Sequence, residues 1–242
     1  MKEYKNTTET HQCDDKTFFY IVDKYYNNNL GFGVHKSIAI NLLKQITSIL
    51  NEFNISHCLI SGTLLGYVRH NDFIPWDDDI DILVDNTIID KIDSIIKKYN
   101  DIFTFMNPYT NIYKLCFLNN GIEMTTDNHG FKKTIIGRGK YNWPFIDLFV
   151  YTVKDDSINF FNKEWPKDKF LPFIPVDFLG IDSNIPTDHN YFLKLNYNDR
   201  YMTDLISSWY SHKTEKTANI KDVLSISLEL YNYVKRMIQN NE

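Results

Sequence analysis

The chain has 242 residues, 43% hydrophobic and 24% charged, with a formal net charge of −5. That length can bury a substantial core without a disulfide or metal staple, and a mildly acidic balance argues against a nonspecific nucleic-acid coat, which needs a basic face. The three cysteines, Cys13, Cys58 and Cys116, are far apart and form no Cys-x-x-Cys pair, which speaks against structural zinc and for free thiols in a reducing compartment.

The N-terminal MKEYKNTTETHQCDDK is polar and lacks the apolar core of a signal peptide. Residues 1–16 are therefore expected to be flexible, with one α/β domain over 17–242. No apolar run reaches membrane-spanning length, so a cytoplasmic location with no membrane span is the expectation. From His35 to Phe53, Ile38, Leu42, Ile46, Ile49, Leu50 and Phe53 recur at helical spacing, with Asn54 as the stop. Ile55–Ile60 reads as a short strand. Ser61-Gly62-Thr63 breaks it, and Leu64–Arg69 reads as helical. Pro75 pushes Ile74 toward an extended backbone, and a strand is predicted over 77–84. Thr87–Tyr99 reads as a second helix, with Asp85-Asn86 capping it. Strands follow at Tyr113–Leu118, Gly121–Thr126, Thr134–Ile136 and Phe145–Val153. Residues 166–186 carry four prolines and read as ordered loop with short extended pieces. Asp188–Tyr197 and Leu224–Ile238 are predicted helices, giving an α/β (α+β) domain with a helical C-terminal portion.

The stretch Trp76-Asp-Asp-Asp-Ile-Asp-Ile-Leu-Val84 places four aspartates at the mouth of an apolar strand. A strand begun by residue 77 points Asp77, Asp79 and Asp81 to one face and Ile80 and Ile82 to the other. Three like charges on one face repel unless a cation sits among them, and carboxylates suit Mg²⁺ or Mn²⁺. An EF-hand is the obvious rival, but position six from Asp77 is Ile82 rather than Gly, and position twelve is Ile88 rather than Glu. A solvated acidic turn is the plainer rival, and it fits poorly with the apolar residues flanking Asp79 and Asp81. Asp78 falls on the opposite parity, as a bystander or a hydrogen-bonding support.

Two further elements bear on this cluster. Ser61-Gly62-Thr63 between strand and helix offers exposed backbone N–H groups, with Gly62 admitting a phosphate closely. Asp147 sits inside the apolar run Phe145-Ile-Asp-Leu-Phe-Val150, where an unpaired carboxylate costs several kcal/mol. It is either a hydrogen-bonded core aspartate or a further metal ligand. Trp76 packs beside the cluster. His70, Lys114, His129, Arg138 and Lys140 are candidate phosphate or substrate contacts, and each is equally well a structural or solvated residue.

Taken together, Gly-Thr, then Asp-x-Asp, then an aspartate on a later strand resemble the nucleotidyltransferase superfamily to which polymerase β belongs. GTLLGYVRHNDFIPWDDDIDI, over Gly62–Ile82, resembles the LicD and fukutin family within it, as does Trp143-Pro-Phe-Ile-Asp147-Leu-Phe. A later match at Asn196-Tyr-Asn-Asp-Arg-Tyr-Met202 has Asn198 where the family's usual form has Gly. The resemblance covers about 35–205. It implies a mixed β-sheet flanked by helices and the transfer of a phospho-alcohol group, phosphocholine or ribitol phosphate in type, from a CDP-activated donor to a glycan hydroxyl. It further implies that Asp77, Asp79, Asp81 and Asp147 hold Mg²⁺ or Mn²⁺, that Gly62 and Thr63 bind a phosphate, and that Arg69 balances diphosphate charge, with a surface cation at a helix end as the equal alternative for Arg69. Asp147 is alternatively the base for the acceptor. Two rival readings share these residues: a true nucleotidyltransferase releasing pyrophosphate from an NTP, and an inactive nucleotide- or glycan-binding module.

Overall fold

The computed structural model describes residues 2–5, 10–13, 31–109, 111–124, 135–136, 142–202, 204–205, 210–213, 216–217 and 226–227. Strands β1 (Lys2–Lys5) and β2 (Thr10–Cys13) pair antiparallel, so the described part of the segment expected to be flexible is a two-stranded ribbon. Helix α1 (Lys36–Glu52) buries Ala39, Leu42, Leu43, Ile46, Ile49 and Leu50 along one stripe, as the periodicity predicts. It ends where Asn54 turns to φ +50°, a left-handed position that Asn tolerates. After β3 (His57–Leu59), helix α2 (Ser61–His70) starts earlier than predicted and takes Gly62 and Thr63 into its first turn.

Strand β4 (Ile80–Asp85) begins three residues later than predicted. Asp77 closes a turn instead, its N–H donating to the Ile74 carbonyl at 3.0 Å, and ladder pairing begins only at Ile80. Asp77 to Asp79 therefore lie in a loop, and strand alternation does not align Asp77 with Asp81. Helix α3 (Ile88–Tyr99) buries Ile88, Ile92 and Ile95, and Asp85 Oδ1 accepts from Thr87 N just ahead of it.

Strands β5 (Phe103–Tyr109) and β6 (Ile112–Phe117) follow, then the two-residue β7 (Ile122–Glu123), β8 (Ile135–Ile136) and β9 (Asn142–Trp143), and the long β10 (Phe145–Lys154). The order across the sheet is β3, β4, β10, β6, β5, β8. The β4–β10 pair is parallel and the others are antiparallel, so the sheet is mixed. The outer end of β10 pairs with β11 (Ser157–Phe160), which pairs with β12 (Lys163–Pro166). Ile80 to Val84 are all buried, as expected for a strand covered on both faces, and each such apolar side chain contributes about 1.5–3 kcal/mol. Helix α1 packs on β10 and α2 on β4, so the fold is α/β, a mixed sheet flanked by helices.

Residues 174–185, within the stretch expected as loop with short extended pieces, form a hairpin of β13 (Ile174–Phe178) and β14 (Ile181–Ile185). Leu179 and Gly180 both take positive φ, the two-residue turn that matches strand twist. Helix α4 (His189–Tyr197) is capped by Asp188, whose Oδ1 accepts from Tyr191 N at 3.0 Å. The helix predicted at Leu224–Ile238 lies outside the described residues except for Ile226–Ser227, which pair as a strand with Asp204–Leu205. No helix among the described residues is long and apolar enough to cross a membrane.

Asn198, standing where the resembling motif has Gly, adopts φ +77° and ψ 173°, a backbone region that is essentially glycine's own. Asn198→Gly is expected to raise stability by about 1–2 kcal/mol, the relieved strain less glycine's chain entropy. An unchanged or lower Tm by calorimetry would show that the turn carries no strain.

Candidate active site

The site is assembled at the β4–β10 boundary. Parallel register sets Asp147 directly beside Asp81, and antiparallel register sets Lys114 on β6 directly beside Asp147. The three side chains thus stand abreast on adjacent strands. The first turn of α2 is bolted to the same place: Thr63 is buried, and its Oγ1 accepts from Asp81 N at 2.8 Å. The Thr63 hydroxyl, expected on a phosphate, holds Asp81's backbone as an acceptor and keeps its own O–H to donate. Gly62 makes room for another acid. A Cβ at that position would lie 2.2 Å from Asp77 Oδ2, so the missing side chain lets the Asp77 carboxylate rest on the helix's first turn.

Asp79, Asp81 and Asp147 each offer a carboxylate oxygen, and these oxygens lie within 4.8 Å of one another. Asp77 is outside that group. Asp81 and Asp147 are 9% and 6% exposed. Burial first, then the charges of Asp79, Asp147 and Asp77, raise the Asp81 carboxyl well above the ordinary carboxylate range. Asp77 is raised well above it too, by burial and then by Asp79 and Asp78. Asp147 is also raised by burial, with the Lys114 ammonium opposing.

Lys114 Nζ donates to Asp147 Oδ2 at 2.6 Å and lies 4.0 Å from the centre of the Phe145 ring. It is 2.5 Å from Oδ1 as well, so the one ammonium lies against both oxygens of the buried Asp147 carboxylate. Three converging carboxylates, two of them buried, fit a divalent cation that prefers oxygen ligands.

The other sequence candidates divide. Arg69 donates from Nη1 to the Tyr201 carbonyl at 2.9 Å and from Nε to His70 Nε2 at 3.0 Å, tying α2 to the turn after α4. His70 meets the buried Trp76 ring edge-on. Asp78 is buried and accepts from Ser211 Oγ and from the amides of His212 and Lys213, which is the supporting alternative of the two read from its parity. His129, Arg138 and Lys140 lie outside the described residues.

Sequence reasoning missed His212, whose Nε2 stands 3.1 Å from Asp79 Oδ2, and Tyr197, whose hydroxyl is pushed up by burial and by the nearby Asp81, Asp77 and Asp79. His212 lies in a stretch without apolar periodicity, so nothing local signals its return to the site. Tyr197 falls inside the Asn196–Met202 match, which was its one available cue.

Comparison with known proteins places this geometry. The family described as LicD/FKTN/FKRP, nucleotidyltransferase domain, matches residues 54–188, more than half the chain. The lipopolysaccharide cholinephosphotransferase LicD of Haemophilus influenzae is 44% identical over 45 residues, 19% of this chain and 17% of that protein. Human ribitol 5-phosphate transferase FKRP is 24% identical over 171 residues, 64% of this chain and 30% of that protein. The chain thus spans less than a third of the length of either relative. An uncharacterized Rickettsia prowazekii protein, RP689, is 29% identical over 146 residues, 53% of this chain and 54% of its own length. Among solved structures, the lincomycin-bound lincosamide antibiotic adenylyltransferase LnuA has a TM-score of 0.37 and 12% identity, covering 65% of this chain and 96% of that one. With the family's domain matched across both aspartate-bearing strands, this chain belongs to the LicD/FKTN/FKRP nucleotidyltransferase-domain family.

Proposed function

We propose that this chain is a metal-dependent transferase that moves a phospho-alcohol group from a CDP-activated donor to a glycan hydroxyl, with Mg²⁺ or Mn²⁺ held by Asp79, Asp81 and Asp147. The observation that carries the reading is the convergence of those three carboxylates inside the family-matching domain. Relatives named as a cholinephosphotransferase and a ribitol 5-phosphate transferase support the choice of transferred group.

When bound, the divalent cation neutralises diphosphate oxygens and stabilises the departing nucleotide. The chain's own residues prepare its place. Thr63 fixes the backbone at Asp81, and the β4–β10 register fixes Asp147 beside it. Lys114, against both oxygens of Asp147, favours its ionised form. This arrangement favours Asp147 as a ligand over Asp147 as the acceptor's base. Asp77 rests against Gly62, and burial and then Asp79 and Asp78 make its carboxyl hold a proton more tightly than an ordinary one.

The test is a donor screen by mass spectrometry with Mg²⁺ or Mn²⁺, using CDP-choline, CDP-ribitol and the four NTPs with a glycan acceptor. CMP released only with metal present, together with acceptor mass gain, is the expected result. Pyrophosphate from an NTP would move the assignment to nucleotidyl transfer. No nucleotide product from any donor with either metal would overturn the enzymatic reading.

A further inference from the structure

Asp78 is only 5% exposed, and it lies between two acids whose carboxylates it does not join. Its own carboxylate is claimed by one short segment 133 to 135 residues further along the chain. Ser211 Oγ donates to Oδ2 at 2.9 Å, His212 N to Oδ1 at 3.0 Å and Lys213 N to Oδ2 at 2.9 Å. A buried carboxylate is costly without donors, and three convergent donors offset that cost. The same aspartate is held from behind, since Trp143 Nε1 donates to its backbone carbonyl at 2.6 Å.

This grip has a consequence at the neighbouring residue. With 211–213 seated on Asp78, the His212 ring packs edge-on against Phe145 at 5.6 Å, and its Nε2 stands 3.1 Å from Asp79 Oδ2. Lys213 Nζ lies 5.2 Å from the centre of the Trp143 ring, which braces the other end of the segment. The segment thus touches the loop that bears Asp79 and the strand that bears Asp147. It also lies beyond residues 54–188, the part of the chain that matches the family.

We propose that Asp78 latches residues 211–213 across the carboxylate group and that the latched His212 orients Asp79 for the cation. His212 is then a positioning residue and Asp78 its anchor. The proposal rests on the cation-site reading above. Asp79 is the least buried of the three carboxylates, so it has the most rotational freedom to lose, and a hydrogen bond from Nε2 to one oxygen sets the plane of the other. Partners of this kind are worth 10–100-fold in metal affinity, which sets the scale of the effect.

The test is Mn²⁺ titration of the full chain, followed by the electron paramagnetic resonance of free Mn²⁺. His212→Ala is expected to weaken binding about tenfold. His212→Gln, whose amide nitrogen reaches nearly as far as Nε2, should recover most of that loss, which a purely structural role would not give. Asp78→Asn should weaken binding similarly, and the Asp78→Asn/His212→Ala pair should cost no more than His212→Ala alone, because both act through one contact. Hydrogen exchange supplies a metal-free measurement. Asp78→Asn, or the milder Ser211→Ala if the former folds poorly, should speed exchange at the amides of His212 and Lys213. A His212→Ala protein that binds Mn²⁺ within about twofold of wild type, or losses that multiply in the double variant, would overturn the latch. Wild-type binding that is lost in Asp81→Asn yet indifferent to His212→Ala sinks the latch alone. No Mn²⁺ binding by the wild type sinks the cation site and the latch together.

Discussion

On the proposed function, Asp81→Asn is expected to cut metal-dependent CMP release to below about one percent of wild type while raising the stability of the metal-free chain. The loss follows from position. Asp81 lies centrally in the acid group, with Asp147 beside it in register and its own backbone N–H held by Thr63, so no neighbouring side chain can take its place. The gain follows from charge. Burial and three acidic neighbours hold the Asp81 carboxyl above its unfolded value, so the folded state binds its proton more tightly than the unfolded state does. The associated stability is fully present below the unfolded pKa and is lost as pH rises through the folded one. At neutral pH the wild type therefore carries a penalty that the neutral amide removes. Each 1 kcal/mol relieved raises Tm by about 2–4 °C in a chain of this size. The gain should vanish in acid, where wild-type Asp81 is already protonated, and Mn²⁺ should stabilise wild type but not the variant. Calorimetry across pH with and without Mn²⁺ checks all three, and retained turnover with unchanged Mn²⁺ stabilisation would remove Asp81 from the site.

Trp143→Ala is expected to cost about 3–5 kcal/mol, which lowers Tm by roughly 6–20 °C. The indole is fully buried, stacked on Phe32 at 5.9 Å and met edge-on by His35 at 5.2 Å. Its removal opens a cavity that adjoining strands cannot close. It also strips the donor from the Asp78 carbonyl. Trp143→Phe keeps most of the packing and loses only that hydrogen bond, so it should cost about 1–2 kcal/mol. Equal losses from the two variants would place the energy in the hydrogen bond instead of the packing, and a Tm for the alanine variant within about 2 °C of wild type would contradict the burial.

Local pattern was enough for much of the architecture. The stripe from Ile38 to Leu50 makes a helix because its apolar side chains recur at the helical period, and Asn54 ends it by tolerating a left-handed backbone. Asp147 announced itself because a carboxylate is expensive inside an apolar strand. The aspartates near residue 80 were equally visible as charge crowded against apolar sequence. Their alignment was not. Strand parity put Asp77 with Asp79 and Asp81, but the ladder starts only at Ile80, where a partner strand is available, and a turn holds Asp77 over Gly62 instead. At 174–185 the short extended pieces were legible but their pairing was not, because a two-residue turn at Leu179-Gly180 shows itself only when the strands on either side have paired.

Composition and short-range pattern determined which residues are helical, which are buried and which carry unusual charge, because those properties depend on neighbours a few positions away. Which acids meet was decided by strand register: Asp81, Asp147 and Lys114 come abreast through pairings between segments that nothing in their own spacing relates. His212 reaches Asp79 only because Asp78 gathers a distant segment onto itself, a contact between residues more than a hundred positions apart that local energetics cannot encode.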